Sequence, residues 1–330
     1  MHILIIKIGA LGDVLRTSYF CKSLKEKNAV ACENFKIWFY TSKTAVNLLK
    51  NNPNIDYLLS DIEEITENEF DVVYSLEDNK ELVGLTNRVK YKQLVGAFIT
   101  KNSIVKYTPE VKEYYDMGLI SCFGVKRANE LKKLNKQSHC EIFRKIFDVK
   151  NIYREIYGED KNPIIHDLKN NEFNAAILNP FAGRRWPSKS LNLNVVKDLI
   201  SQLLAEHNKR SIFLTTGPEN KDKYDLLTES FKNEPRLKLV NPEKGIMEIA
   251  KIIQQCDYML SVDSLLLHIS ICIGIPTVAV FTSTSANEIP DAANLVKLTS
   301  ISEKYCSYKK FDDYEDINAQ SIMNSIRKIC

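Results

Sequence analysis

Short apolar runs alternate with longer amphipathic segments along the chain. Residues 3–8 form an almost unbroken apolar run, which predicts a strand buried on both faces, and residues 13–27 continue with apolar side chains at helical spacing. Further strands are predicted at 35–40 and 71–76, where the apolar runs are again short. Residues 110–148 are predicted to be mainly helical.

A polar stretch at residues 158–174 interrupts this pattern and is the best candidate for a linker between domains. Beyond it, strands are predicted at 175–178, 211–215, 237–240, 258–262 and 277–281. Helices are predicted at 191–206, 219–231, 245–255, 264–273 and 317–329. Strand–helix alternation at this spacing favours parallel sheets with right-handed crossovers. The sequence therefore predicts two doubly wound α/β domains, one at 1–168 and one at 169–313.

Composition and charge narrow the functional classes. The 330 residues include 45 Lys and Arg against 42 Asp and Glu, a net charge of +3, so we expect no nucleic-acid partner. No window of 18 or more apolar residues predicts a transmembrane helix, and no basic region precedes the apolar amino-terminal run. We therefore expect a cytoplasmic protein.

Cofactor and metal motifs are not indicated. The eight cysteines are scattered without the CxxC spacing of a zinc site, so we expect reduced, buried thiols and no metal. The loop after the first predicted strand contains Gly9 and Gly12 but not the GxGxxG pattern of a dinucleotide site. A nicotinamide-dependent oxidoreductase is therefore weakly supported.

Glycine is scarce, at 11 of 330 residues, so its positions are informative. Gly9, Gly12, Gly183 and Gly217 follow predicted strands, at points where the backbone must turn sharply or approach a ligand. In open parallel sheets, ligands bind beyond the carboxyl ends of the strands. The loops that contain these glycines are therefore the first place to look for chemistry.

Asp13 lies near the start of the first predicted helix. The helix dipole favours a carboxylate there, so a structural role as an N-cap or first-turn residue would explain it. The alternative is a general base that faces a cleft between the domains.

Two strand ends in the second half carry a basic loop and a carboxylate. The loop after the strand at 175–178 holds Arg184, Arg185 and Lys189, which suit either phosphate recognition or a solvated basic turn. Glu219 follows the next strand, where it either caps a helix or accepts ribose hydroxyls.

Asp263 and Ser264 follow the strand predicted at 258–262. With Asp263 as the N-cap and Ser264 in the first turn, this helix start would leave backbone N–H groups for an anion. His268 follows as either a part of that site or a satisfied core histidine. Together, the strand ends suit a nucleotide diphosphate bound by the second domain and a reacting group supplied by the first.

A basic cluster lies in the predicted helical region of the first half. Five basic residues fall within eleven positions: Lys126, Arg127, Lys132, Lys133 and Lys136. A solvated helix face explains this cluster, and a surface for an anionic glycolipid or the inner membrane leaflet is the alternative.

Four segments resemble the ADP-heptose:lipopolysaccharide heptosyltransferases, glycosyltransferase family 9. They are ILIIKIGALGDVLRT, NPFAGRRWPSKSL, TTGPEN and SVDSLLLHISICIGIPTVAVF, in the family's order. The resemblance implies an α/β fold of the GT-B type, with two Rossmann-like doubly wound parallel-sheet domains facing a central cleft. It also implies that the last helix, at 314–330, packs back on the first domain.

The resemblance also implies roles for the matched residues. Asp13 would remove the proton from the acceptor hydroxyl, and Glu219 would hold the donor ribose. Arg184 stands where the family usually has a lysine at the donor phosphates, and Lys189 is a second candidate cation in that loop.

The last segment corresponds to the phosphate-binding helix start of the family. Asp263, Ser264 and His268 match positions at this start and in its first turns. Leu265 stands where the family commonly has glycine.

The implied activity is metal-independent, inverting transfer of a heptose or related sugar from an ADP-activated donor to a hydroxyl of a glycan acceptor, with lipopolysaccharide core as that acceptor. The implied partners are the nucleotide sugar, which is a substrate and not a cofactor, and a glycan or glycolipid. Two alternatives remain: a GT-B transferase with another nucleotide sugar or acceptor, and an inactive nucleotide-sugar-binding protein. Peripheral contact with the inner membrane leaflet is an open alternative to a purely cytoplasmic location.

Overall fold

The computed structural model describes residues 1–29, 32–166, 174–206, 209–215, 217–241, 243, 245–309 and 314–329. The chain divides into two compact units. Unit 1 comprises Met1–Asn162 and Asn287–Pro290, and unit 2 comprises Pro163–Ala286 and Asp291–Cys330. The predicted boundary between 168 and 169 lies outside the described residues, whereas the division between the units falls earlier in the polar stretch.

Unit 1 is built on a doubly wound sheet. Its strands are β1 (His2–Ile6), β2 (Lys36–Tyr40), β3 (Tyr57–Leu59), β4 (Glu69–Ser75), β5 (Lys90–Ile99) and β6 (Val105–Tyr107). Their order is β3-β2-β1-β4-β5-β6, and all neighbours are parallel except β5 and β6. The short strand β6 was not predicted, because its alternating, partly exposed residues give little apolar signal.

The helices of unit 1 are α1 (Leu11–Ser18), α2 (Cys21–Asn28), α3 (Lys43–Leu49), α4 (Glu63–Thr66), α5 (Lys80–Val83), α6 (Lys112–Asp116), α7 (Gly124–Leu134) and α8 (His139–Ile146). The single helix predicted at 13–27 is therefore two helices, joined at Tyr19 and Phe20. Phe20 is fully buried and stacks on Phe147 with ring centroids 5.1 Å apart. The break thus supplies core contacts that helical periodicity does not reveal.

Unit 2 repeats the architecture with a parallel sheet. Its strands are β7 (Ala175–Asn179), β8 (Ser211–Leu214), β9 (Leu237–Leu239), β10 (Tyr258–Val262), β11 (Thr277–Phe281) and β12 (Leu295–Thr299), in the order β12-β11-β10-β7-β8-β9. The strands β7, β10 and β11 are buried throughout, as their continuous apolar runs predict. The edge strand β12 is only partly buried and was not predicted.

The helices of unit 2 are α9 (Leu193–Glu206), α10 (Lys221–Ser230), α11 (Ile246–Gln254), α12 (Leu265–Ile273) and α13 (Ala319–Ile326). The expectation that the last helix packs on the first domain is wrong, because α13 packs against α9 and the β11–β12 edge of its own unit. Ile322, Met323 and Ile326 form its buried face. Each such side chain contributes roughly 1.5–3 kcal/mol when buried, which favours this location.

Over the described parts of the chain, no helix combines the length and apolar character needed to cross a bilayer. The seven described cysteines are free thiols, and four of them are buried.

Candidate functional site

Each unit has one point where the order of its sheet reverses. In unit 1 this switch point lies between β1 and β4, and in unit 2 it lies between β7 and β10. A crevice forms beyond the carboxyl ends of the strands at such a point and is the usual ligand site of open α/β sheets. Asp13, Gly9 and Gly12 lie at the first switch point, and the other predicted site residues lie at or next to the second.

Asp13 is the third residue of α1, and Ala10 precedes the helix with a φ of 39°. The Asp13 side chain is therefore a first-turn carboxylate and not the N-cap. It is 27% exposed, and one of its oxygens contacts the guanidinium of Arg16, one turn farther along α1. The Asp13 carboxylate is therefore accessible to solvent, and its contact with Arg16 fixes its orientation.

A buried ion pair lies beneath the loop that leads to Asp13. Lys7 Nζ is 3.6 Å from Glu77 Oε1 and donates to the carbonyl of Leu76 at 2.8 Å. The Glu77 carboxylate accepts the N–H groups of Ile8 and Gly9, the latter at 3.0 Å. A Cβ atom at Gly9 would lie 3.3 Å from Glu77 Oε2, so a glycine leaves room for the carboxylate.

Lys7 and Glu77 are not among the site residues predicted from the sequence. The signal was a lysine within an otherwise apolar strand, which requires a buried partner. That partner could not be identified from the sequence, because it follows β4, some seventy residues later.

The charges around Asp13 favour its ionised form. Burial alone would raise the pKa of Asp13, but Arg16 and, to a smaller extent, Lys7 hold it well below its usual range. His139 at the start of α8 acts in the same direction. Asp13 is therefore an anion across the physiological pH range, surrounded by groups that carry or can carry positive charge.

At the second switch point, Ser264 is the N-cap of α12, and Leu265 is the first helical residue. The expectation that Asp263 caps this helix is wrong, because Ser264, whose backbone is extended, directly precedes the first helical residue. Ser264 makes no side-chain hydrogen bond to the first turn, so its hydroxyl does not satisfy the N–H groups there. Leu265 has no positive φ, and its backbone conformation does not require glycine.

Asp263 instead forms a partly buried ion pair. Its Oδ2 accepts from Lys189 Nζ at 2.6 Å and from Thr284 Oγ1 at 2.8 Å. Burial would raise the pKa of Asp263, but Lys189 and His268 lower it to about 2. Lys189 is therefore committed to Asp263 and holds the loop after β7 against the end of β10.

A buried polar network joins three neighbouring strands beneath this surface. Asn179 Nδ2 donates to Ser261 Oγ at 2.9 Å and to Ser264 Oγ at 2.7 Å. Thr215 Oγ1, which follows β8, donates to Asn179 Oδ1 at 3.3 Å. The sequence did not predict this network, which holds the ends of β7, β8 and β10 in one arrangement.

Arg184 and Glu219 lie on the loops after β7 and β8. Arg184 is exposed, and its guanidinium has no hydrogen-bond or ion-pair partner within the described ranges. The Glu219 carboxylate lies against two glycines, since a Cβ atom would be 3.1 Å from it at Gly183 and 2.6 Å from it at Gly217. The two loops are tied by Asn220 Nδ2, which donates to the carbonyl of Ala182 at 3.0 Å.

His268 lies in the first turns of α12 and is 5% exposed. His268 contributes to the low pKa of Asp263, so the two residues lie close together. Unit 2 therefore brings together Arg184 with Glu219, and Lys189 with Asp263, Ser264 and His268. Over the described ranges, no group of three or more His, Cys, Asp or Glu side chains could hold a metal ion.

Residues 159–317 match the family described as glycosyltransferase family 9 (heptosyltransferase). No curated protein sequence matches the chain significantly. The comparisons with solved structures extend over both units and are therefore informative about the whole fold.

Three solved structures share the fold at low sequence identity. A glycosyltransferase family 9 protein from Veillonella parvula matches with a TM-score of 0.72 and 14% identity, over 99% of this chain and 96% of that one. The Escherichia coli heptosyltransferase WaaC, solved with ADP, matches at 0.67 and 14% over both full chains. The Escherichia coli ADP-heptose LPS heptosyltransferase II matches at 0.68 and 13%, over 100% and 98%. These similarities confirm the expected GT-B type of α/β fold.

Proposed function

We propose that this chain, whose residues 159–317 match the model of glycosyltransferase family 9 (heptosyltransferase), is an inverting, metal-independent glycosyltransferase of that family. The donor is a heptose or related sugar activated by ADP. The acceptor is a hydroxyl group of a glycan, and lipopolysaccharide core is the acceptor class that we propose. No cofactor takes part.

The observation that carries this proposal is the set of loops after β10, β7 and β8, which are neighbours in the sheet of unit 2. They present the start of α12, the exposed guanidinium of Arg184 and the carboxylate of Glu219. Helix starts and arginine bind phosphate, and a carboxylate accepts hydrogen bonds from ribose hydroxyls. A nucleoside diphosphate needs this combination.

The same groups suit the leaving group of the reaction. When the bond between the anomeric carbon and the β-phosphate oxygen breaks, negative charge builds up on the diphosphate. Arg184 and the first N–H groups of α12 would stabilise that charge without a metal ion. Lys189 acts indirectly, because its ammonium is bound to Asp263 and maintains the shape of the crevice.

Asp13 is the base in this mechanism. The acceptor oxygen forms a bond to the anomeric carbon as the diphosphate leaves from the opposite face, and the acceptor proton passes to the Asp13 carboxylate. A carboxylate with a low pKa is a weak base. It suffices when the transition state resembles an oxocarbenium ion, since proton transfer then follows bond breaking.

The solved structures support the donor class. WaaC was solved with ADP, and heptosyltransferase II is described as an ADP-heptose LPS enzyme. The acceptor and a location in the cytoplasm, in peripheral contact with the inner leaflet, are our extension of that similarity to this chain.

Thermal unfolding with added ligands tests the donor. A ligand at about 100 times its dissociation constant stabilises the native protein by about 2.7 kcal/mol. We expect ADP and ADP-heptose to raise the unfolding temperature, and UDP and NAD to leave it almost unchanged. A larger shift with UDP or NAD would reject the ADP donor.

A transfer assay then separates an enzyme from a nucleotide-sugar-binding protein. ADP release from ADP-heptose should require a glycan acceptor and should continue after treatment with a chelator. Stabilisation by ADP-heptose without acceptor-dependent ADP release would contradict the proposed activity and favour a binding protein.

A further inference from the structure

Exposed apolar side chains are concentrated in one part of unit 1. Twelve large apolar side chains are exposed among the described residues, and four of them fall between residues 119 and 134. They are Leu119, Phe123, Val125 and Leu134, which are 50–68% exposed. Single exposed apolar residues are ordinary, whereas such a concentration marks an interaction surface.

The helix α7 adds positive charge at the same place. Between residues 119 and 136 the chain has five basic side chains and one acidic one, a net charge of +4 against +3 for the whole protein. The acidic residue, Glu130, is paired with Arg127 at 2.9 Å. Lys126, Lys133 and Lys136 are exposed and have no ion-pair partner among the described residues.

The buried residue of α7 identifies which face of this helix points outward. Ala128 is its buried residue, and Lys126, Glu130, Lys133 and Leu134 follow one another at helical spacing on the face away from it. The most exposed apolar side chain of the segment, Leu134, therefore lies on the lysine-rich face. Phe123 is exposed at the amino end of the same helix.

We propose that residues 119–136, the α7 surface, form a docking surface for an anionic lipid bilayer. Lysine side chains are attracted to the negative headgroups, and Phe123 and Leu134 enter the interface between headgroups and acyl chains. A soluble anion would be bound by the lysines alone and gives no reason for exposed apolar side chains. The inference rests on the proposed function for the acceptor, a glycolipid, whose enzyme must work at the membrane.

Vesicle binding tests this surface with the full-length protein. The probes are vesicles of phosphatidylcholine alone and of phosphatidylcholine with phosphatidylglycerol, and the bound fraction is measured by sedimentation. We expect binding to the anionic vesicles, little binding to the neutral ones, and weaker binding as salt screens the charges. Equal binding to both vesicles, or to neither, would overturn the proposal.

Variants identify the residues responsible. Each basic residue near an anionic surface contributes about fivefold to binding, so Lys126→Gln with Lys133→Gln should weaken it by at least about tenfold. Phe123→Ser and Leu134→Ser should each weaken it severalfold. Unchanged vesicle binding in all these variants would refute the assignment.

Matched controls come from unit 2. Lys221→Gln with Lys232→Gln changes the net charge equally at exposed lysines, and Leu226→Ser replaces an exposed leucine on α10. Both should bind anionic vesicles like the wild type. A loss equal to that of the α7 variants would show a nonspecific charge effect and overturn the proposal.

ADP binding keeps this test separate from the proposed function. The α7 variants should keep the wild-type thermal shift with ADP, since none of them lies at the switch points. Failure of vesicle binding with normal ADP binding would overturn the docking surface alone, whereas absence of an ADP shift would reject the donor site and leave the docking surface intact.

Discussion

The two switch points share one topology and differ in their electrostatics. In unit 1, the Glu77 carboxylate lies under the loop after β1 and accepts the N–H groups of Ile8 and Gly9. In unit 2, the side chain of the N-cap Ser264 makes no hydrogen bond to the first turn of α12, and Arg184 is exposed on the loop after β7. The loop after β1 thus already binds an anion of the protein itself, the Glu77 carboxylate. The start of α12 and the loop after β7 present groups that suit an anion from outside the protein.

The different electrostatics of the two switch points suit different roles in the proposed reaction. Backbone N–H groups that already donate to the Glu77 carboxylate are not free to bind a phosphate. The same region holds Asp13 ionised among positive groups, as a proton acceptor requires. These differences support the proposed function, in which the donor anion binds to unit 2 and the base lies in unit 1, although both units are Rossmann-like.

The largest expected effect follows from removing the base. Asp13→Asn should lower kcat about 10²–10⁴-fold, the usual contribution of general acid–base catalysis, with little change in ADP affinity. Steady-state kinetics and the ADP-induced thermal shift measure the two quantities.

Asp71→Asn is the matched control, since Asp71 is a partly buried carboxylate of β4 paired with Lys92. It should keep kcat within a few-fold of the wild type. Near-normal turnover of Asp13→Asn would remove Asp13 from the chemistry and end the contrast between the units.

The second-largest expected effect is on ADP affinity and follows from replacing Arg184, the cation of the proposed donor site. Arg184→Gln should weaken ADP binding by about 10–100-fold, since a hydrogen bond to a charged group contributes about 1.5–3 kcal/mol. The unfolding temperature without ligand should not change, because Arg184 has no partner among the described residues. Arg185→Gln changes the charge equally at the adjacent position, and an equal loss of affinity there would show that net charge alone acts.

The contribution of Lys189 to stability is expected to depend on pH. The pKa of Asp263 is about 2 against an ordinary 3.8, so this ion pair stabilises the protein fully above about pH 4 and loses its effect as pH falls toward 2. Lys189→Met should lower the free energy of unfolding by about 2 kcal/mol at pH 7 and by less at pH 3.

Urea unfolding at both pH values measures this difference. Lys221→Met, which removes an exposed ion pair with Asp225, should change stability by less than about 0.5 kcal/mol at either pH. A Lys189→Met variant with a loss independent of pH would show that its ammonium serves packing and not the charge of Asp263.

The smallest expected effect on ADP binding tests the role of Glu219. Gly217 has an ordinary φ of −79°, so alanine suits its backbone, but the new Cβ would meet the Glu219 carboxylate. Gly217→Ala should therefore displace that carboxylate and weaken ADP binding severalfold while the fold is retained. Calorimetry measures the affinities for ADP and for 2′-deoxy-ADP. If Glu219 holds the ribose, the difference between these two affinities should be smaller in the variant than in the wild type.

Much of the fold could be predicted because buried parallel strands are local apolar runs. The predicted strands at 258–262 and 277–281 agree with β10 and β11. The edge strands β6 and β12 were missed, since partly exposed strands have weaker patterns. The packing of α13 on unit 2 could not be predicted either, because an apolar helix face does not specify which core it covers.

The sequence by itself determined which residues are candidates for the chemistry. Asp13, Arg184, Glu219 and Ser264 could be selected because a strand, a turn and a helix start are local features, and functional loops follow strand ends. The pattern of apolar and polar residues contains that information directly.

Only the tertiary structure decided how these residues are charged and held. Lys7 pairs with Glu77, and Lys189 pairs with Asp263, in each case about seventy residues away. Such partners meet because β1 lies beside β4, and β7 beside β10, in sheets whose order differs from the order of the chain. Buried charges must find partners in space, and the adjacency that supplies them is a property of the folded sheet.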